Sequence, residues 1–369
     1  MTLVLFIVLT WLLCFPGNFM IHSGSRTNHT PASKSQSWLQ EYADFVNKSI
    51  LRDDMYKPNR SDNILCGKFP EKFYENFNVV KNYTFRIPVE YLSKLQLDRP
   101  DIEKLNVKPA TSSVPVLVTA SSANHFNEAQ SLIKNIHEKV MSQYPGIKFI
   151  FYDIGLKESQ VKLLKRHCRC EVRTLSFTSY PEHVRKLLGY TWKPIIIQTV
   201  LTEFDFVMWM DASVRFHGTS LDSLFSEASK TGIKLVPGGG SIAVRTHLNT
   251  FRALGERPCM FHWPELEATW MLVRRTKVIM HGVMKPWVSC ALQFGCMAQP
   301  NPKTMLVCPW GNKKKFGSCH RFDQSVIGLI LTRLFNYNVQ LAHFKVSEYG
   351  IIRREDRSNY LEKIEMHQD

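Results

Sequence analysis

FDFVMWMDASVRFHG, residues 204–218, is the stretch on which the reading of this chain turns. Six of the seven residues before Asp211 are apolar or aromatic. The run then stops at a carboxylate, followed by Ala212, Ser213 and, two residues on, Arg215. In a parallel sheet covered on both faces, strands read as continuous apolar runs, and ligands sit past their carboxyl ends. An acid at the end of such a run therefore marks the place where a core meets a ligand.

The surrounding pattern supports that frame. From residue 112 onward the chain alternates strand-like and helix-like segments. VPVLVTASS (114–122) is a β-rich run, and Asn127 with Gln130 is read as a helix cap. Ala129, Leu132, Ile133, Ile136 and Val140 share one helical face behind it. IKFIFYDIG (147–155) and CEVRTLSF (170–177) are further strands, separated by a helix carrying Val161 and Leu164. WKPIIIQTVLTEF (192–204) reads as a helix leading into the opening run. A helix near 221–229, the strand IKLVP (233–237) and a Gly238–Gly240 loop follow. The predicted fold is α/β, with a mostly parallel sheet and helices on both faces. Ser121, Asp153 and Asp211 then fall at strand ends. No G-x-G-x-x-G follows the first strand and no G-x-x-x-x-G-K-[ST] occurs, which disfavours a dinucleotide-binding domain and removes a P-loop.

Asp211-Ala-Ser213 at a strand end resembles the DxD motif of GT-A glycosyltransferases. In that motif a divalent cation, Mn²⁺ or Mg²⁺, bridges protein carboxylates to the diphosphate of a nucleotide sugar. Here Ser213 stands where the second acid would be, and a hydroxyl is a poor substitute for a carboxylate. The later landmarks follow the GT-A order. Gly239 lies in the glycine run. HRFDQSVIGLILTRLF (320–335) reads as an amphipathic helix with Asp323 at its start. His343, in VQLAHFKV, takes the place of the histidine that completes a metal site with Asp211 and Ser213. Asp323 and Glu267, the latter in WPELEATWMLVRR (263–275) with Glu265 beside it, are candidate general bases for an acceptor hydroxyl. Lys193 and Arg215 are candidate cations for the diphosphate. Each has an ordinary alternative: Asp323 as a helix cap, His343 as a satisfied core residue, the cations as surface charges.

PVLVTASSANHFNEAQSLI, YPEHVRKLLGYTWKPIIIQ, VMWMDASVRF, VMKPWVSCALQFGCMAQP and HRFDQSVIGLIL together resemble an invertebrate-expanded family of secretory-pathway proteins of unknown function. That family is grouped with the GT-A-like glycosyltransferases. The resemblance covers about residues 112–350. It implies a nucleotide-sugar donor, with a UDP-sugar as first guess, and a glycan or glycoprotein acceptor.

The N-terminus sets the expected compartment. Residues 1–21 carry no charge, and Leu3–Phe15 is an apolar core. The segment reads as a signal anchor or a cleaved signal peptide. Sequons at Asn28, Asn47, Asn59 and Asn82 all precede residue 85. Residues 22–111 are read as a lumenal stem and small preface, 112–350 as the GT-A-like domain, and 351–369 as a tail. Nine cysteines occur; beyond Cys14 the remaining eight are an even number, without paired CxxC ligands, and read as disulfides. The expectation is a Golgi membrane protein with its domain in the lumen, or a secreted one. The formal charge is +15. In that compartment it suits anionic glycans or nucleotide phosphates, or a merely solvated basic surface, rather than nucleic acid. Two further readings stay open: a binding protein on the same fold without catalysis, and a receptor for sulfated glycans.

Overall fold

The computed structural model describes residues 37–50, 66–104, 113–301, 308 and 315–367. The apolar N-terminal segment and the sequons at Asn28 and Asn59 lie outside the described residues. Among the described residues no helix is long and apolar enough to cross a membrane. Asn47 and Asn82 are both exposed.

Trp38–Asp369 forms one compact unit. Its centre is a six-stranded sheet of β1 (Val116–Ser121), β2 (Phe149–Asp153), β3 (Glu171–Thr174), β4 (Phe206–Met210), β6 (Ile233–Ser241) and β7 (Pro264–Arg274). The order across the sheet is β3-β2-β1-β4-β7-β6. β1 to β4 pair in parallel. β7 runs antiparallel to both β4 and β6, so it is the one reversed strand. A separate two-stranded sheet pairs β5 (Val214–Phe216) with β8 (Gly350–Ile352).

Both faces of the sheet are dry, and the strand period of two explains how. Val207 and Trp209 of β4 enter one apolar cluster, with Ile195, Ile196 and Val200 of the helix Trp192–Leu201. Phe206, Met208 and Met210 enter the other, with Ala129, Leu132 and Ile133 of the helix Phe126–Asn135. The early segment joins the first of these clusters. Phe73, Phe77 and Val80 of the helix Phe73–Lys81 are buried in it. Trp38 of the helix Ser37–Ile50 packs edge-on against Phe77. Cys66–Cys259, Cys168–Cys170, Cys290–Cys296 and Cys308–Cys319 pair as disulfides, which uses all eight cysteines expected to bond.

Several local expectations are corrected. Asn127 does not cap its helix: a 3₁₀ turn, Ala123–His125, precedes Phe126, so Asn127 lies one position inside. Gly238–Gly240 is not a free loop. β7 extends far enough to pair Pro237 with Leu266 and Ser241 with Pro264, so the glycines continue β6 as a bulged strand. The helix Phe322–Leu334 is not amphipathic, because every residue in it except Gln324 is buried. VQLAHFKV is a 3₁₀ turn, Val339–Ala342, after which His343 makes one bridge to Leu235.

Burial governs the histidines. It pushes His137 down to about 4, helped by Arg169, and His343 to about 4, helped by Lys234. It pushes His320 to about 3 against a hydrogen bond to the Met297 carbonyl. Each is neutral when folded and takes a proton more readily when unfolded. Their stability contribution is therefore complete above the ordinary value of 6.5 and declines as pH falls toward the folded values. Melting temperature should hold steady from pH 8 to about 7 and drop between pH 6.5 and 4. Unchanged melting between pH 7 and 5 would contradict this assignment.

Candidate functional site

β4 ends at Met210, opposite Trp270 of β7. Because β7 is antiparallel, its first half, Pro264–Thr269, overhangs the carboxyl ends of the parallel strands. The overhang is anchored where the Asp211 amide donates to the Thr269 carbonyl (2.8 Å). Glu265, Glu267 and Thr269 therefore stand beside the crevice into which β4 delivers Asp211 and β1 delivers Ser121.

The crevice floor is an ion triad. Lys193, in the first turn of the helix Trp192–Leu201, places Nζ 3.0 Å from Asp211 Oδ1 and 2.7 Å from Asp323 Oδ2. It donates a hydrogen bond to the Ala268 carbonyl at 3.1 Å. Two carboxylates and a carbonyl thus enclose the ammonium, and its side chain is almost wholly shut off from solvent. Burial alone would lower its pKa, but Asp211 and Asp323 overcome that and hold it raised and charged. Burial raises the Asp323 pKa, and Asp211 adds to this, against the attraction of Lys193. Asp211 Oδ1 also accepts from Trp209 Nε1 at 2.8 Å. The three side chains differ in access: Lys193 is 3% exposed, Asp323 7% and Asp211 33%. Only Asp211 offers a face to a ligand.

Two aromatic residues hold unusual backbone to build this triad. Tyr190 (φ 52°) precedes the Lys193 helix and Phe322 (φ 46°) immediately precedes Asp323. Left-handed conformations disfavour side chains and concentrate where the surroundings over-determine them. Their rings meet at 5.7 Å beside the triad.

The predicted residues divide accordingly. Lys193, Asp211 and Asp323 come together, but Lys193 and Asp323 pair with each other in the interior, and Lys193 is too enclosed to reach a phosphate. Glu267 stands at the crevice with its pKa raised, by burial first and by Glu265, against Arg354 and Arg321. Glu265 is locked by Arg245 and by Gln324 Nε2 (3.0 Å). Arg215 is buried and spends every donor on protein: Asp356, and the carbonyls of Ala212, Val214, Glu128 and Asp356. It braces the Asp-Ala-Ser turn and does not reach toward a diphosphate. Ser213 is buried, and its carbonyl accepts from the Arg353 amide, fixing β8. Asp153 turns back onto the amides of Gly155 and Leu156 (2.8 and 2.7 Å), shaping the loop after β2. The Ser121 hydroxyl is buried on the Ser122 carbonyl. Gly239 is exposed in bulged β6, while side chains at Gly238 and Gly240 would collide with Glu265 and Arg245.

The metal set does not assemble. His343 bridges Leu235 on β6, with β6 and β7 between it and β4. Three strand spacings put it about 14 Å across the sheet from β4. The charge acting on it is that of Lys234, not a carboxylate. Among the described residues no group of three or more His, Cys, Asp or Glu could hold a metal. The donors present, one half-committed carboxylate and a buried serine, do not fit Mn²⁺ or Mg²⁺.

Residues not singled out in the sequence complete the crevice. Arg354, just past β8, acts on both Glu267 and Tyr190. Arg321 also acts on Glu267, and its Nε is buried without an acceptor. His125, after β1, feels both Glu128 and Asp211. No local motif marks these residues; only the return of the chain past residue 350 puts Arg354 there.

Fold and site together define an α/β protein with a charged crevice at its strand ends. Residues 68–198 match a family model described as "Protein of unknown function (DUF1647)". That stretch includes Lys193 and stops short of Asp211. No curated protein matches the sequence. Among solved structures, the chain is similar to the mannosyltransferase Ktr4p of S. cerevisiae in complex with GDP. That likeness has a TM-score of 0.37 at 10% identity, over 79% of this chain and 81% of that one. Mouse xyloside xylosyltransferase 1 gives 0.36 at 11% identity, over 62% and 84%. The bifunctional glycosyltransferase WbbM gives 0.35 at 10% identity over 62% of this chain, which spans 38% of WbbM.

Removing the ammonium should expose the cost of the triad. Lys193→Met leaves Asp323 buried beside Asp211 without a counter-charge and should cost about 3–5 kcal/mol in urea unfolding. Lys193→Met combined with Asp323→Asn should recover much of that loss. A single Lys193→Met variant within about 0.5 kcal/mol of the parent would disprove the triad's structural role.

Proposed function

We propose that this protein is a glycosyltransferase of the secretory pathway. It moves a sugar from a nucleotide-sugar donor, a UDP-sugar as first choice, to a hydroxyl on a glycan or glycoprotein. The observation that carries the reading is the placing of two carboxylates at the end of β4: Asp211, whose amide is held by Thr269, and Glu267, which Thr269 Oγ1 also reaches and on which Arg321 and Arg354 act. Asp211 orients donor hydroxyls through its exposed face. Glu267 takes the proton as the acceptor oxygen bonds to the anomeric carbon. The bond from that carbon to the diphosphate oxygen breaks, and the departing charge falls to Arg321 and Arg354. No step runs through a metal, since the donor set does not suit one. Lys193 and Asp323 hold the floor rigid, and most of the rate gain comes from positioning. A Golgi lumenal location accords with the four disulfides, the exposed sequons at Asn47 and Asn82, and the apolar first residues.

The second reading, a binding protein without catalysis, draws on the engagement of Asp211 Oδ1 by Lys193 and on Ser213 in place of an acid. Thermal shift and turnover separate the two. The transferase should be stabilised by one nucleoside diphosphate and should hydrolyse or transfer from its sugar. Asp211→Asn should lower that turnover at least tenfold. A nucleotide shift without turnover favours the binding protein, and no shift with any nucleotide, with or without Mn²⁺, refutes both nucleotide-based readings.

Glu267 gives an independent check through pH. Its folded pKa is raised, so holding it ionised costs stability above that value and nothing below the ordinary glutamate range. Glu267→Gln should therefore melt higher than the parent at pH 7.5 and match it at pH 4, while losing transfer. In the parent, transfer should fall as acid protonates Glu267. A Glu267→Gln variant that keeps full activity removes Glu267 as the base.

A further inference from the structure

A cavity of about 530 Å³ opens away from the crevice floor, between the helix Phe126–Asn135, β5, β8 and residues 353–358. Its volume is in the range of small-ligand sites. The charge in it is arranged unevenly. Arg215 and Asp356 both line it, but they neutralise each other through the 2.7 Å pair already described. Lys134 and Glu138 face each other at 3.9 Å on the helix rim. Arg353 and Arg357 remain: both are exposed, both line the cavity, and neither guanidinium has a hydrogen-bond or ion-pair partner among the described residues, the Arg353 amide alone being bonded, to Ser213. Ser131 also lines the cavity, and its hydroxyl is buried with no hydrogen-bond partner, in a residue 7% exposed. An orphan buried hydroxyl and two uncommitted guanidinium groups lining one cavity are an unfilled set of donors for an oxyanion.

The partition of the arginines is specific. Arg353 lines this cavity, whereas its neighbour Arg354 acts on Glu267 and Tyr190 at the crevice. Consecutive residues after β8 thus serve two separate places. A lone inorganic anion would leave most of the cavity's space unused, so the oxyanion must arrive attached to a larger body.

We infer that this cavity binds an acidic saccharide through its anionic substituent, a sulfate ester or a uronate carboxylate held by Arg353 and Arg357 together with Ser131. The saccharide half of this inference rests on the glycan-modifying reading above; the oxyanion half rests on the cavity alone.

The test is thermal shift and titration of the full chain with a trisulfated heparin-type disaccharide and with its unsulfated, uronate-bearing counterpart. Sodium sulfate at matched ionic strength is the control. The sulfated disaccharide should raise the melting temperature more than sodium sulfate does. A comparable shift with the unsulfated form would assign the carboxylate as the bound group. Arg353→Ala and Arg357→Ala should each weaken binding about tenfold, as expected for loss of charge-assisted hydrogen bonds. Both should leave the ligand-free melting temperature unchanged, because neither side chain is engaged. Ser131→Ala should leave ligand-free melting equal or higher, since it removes an orphan hydroxyl, and should also weaken binding. A shift that survives the double arginine substitution, one that sodium sulfate reproduces, or no shift with either disaccharide overturns the site. Nucleotide binding is not read in any arm, so a chain that ignores every nucleotide still passes or fails this test on its own terms.

Discussion

A buried ammonium is tolerated only where opposite charge and acceptors surround it, and Lys193 has the carboxylates of Asp211 and Asp323 and the Ala268 carbonyl. That single ion cluster ties four elements together. Asp211 ends β4, Ala268 lies in the overhang of β7, Asp323 opens the helix Phe322–Leu334, and Lys193 opens the helix before β4. Losing any partner strands a charge in a space with little water. The left-handed Tyr190 and Phe322, the Phe322 helix buried at every residue but Gln324, and the reversed strand β7 are the surroundings that hold these groups in register.

The same constraint decides what the crevice can do. A lysine with three acceptors is not a phosphate ligand, and a carboxylate that has given one oxygen to an ammonium and an indole has one face left for chemistry. In the proposed reaction the catalytic duties therefore pass outward, from the buried pair to the half-buried rim. Glu267 is there because β7 overhangs β4. Arg321 and Arg354 are there because the chain returns to β4's end both before and after β8. Arg215, which a local reading places toward the diphosphate, instead spends its five donors fastening the Asp-Ala-Ser turn to residues 128 and 356. It is the stiffener behind the turn on which Asp211 sits.

The difference between legible and hidden features follows the range of the interactions. Strand runs such as VLVTAS and FVMWM, the helices at 126, 158, 192, 222 and 322, and the even set of eight cysteines were all readable, because periodicity and composition are local. So was the acid at the end of β4. Glycines 238–240 misled because an unpartnered glycine run looks like a loop, and its partner strand begins only at Pro264. His343 misled because its position in the chain order matched a metal ligand while its backbone bridges the far side of β6.

By itself, then, the sequence determined the alternating α/β architecture, the strand-end placement of Asp211 and the pairing chemistry of its cysteines, since each is written in short-range pattern. Only the tertiary structure decided which charges are free. Whether a lysine or arginine serves a ligand depends on how many of its donors distant segments have already taken. Lys193 and Arg215 lost theirs to Asp323 and Asp356, far along the chain, while Arg321, Arg353, Arg354 and Arg357 kept theirs.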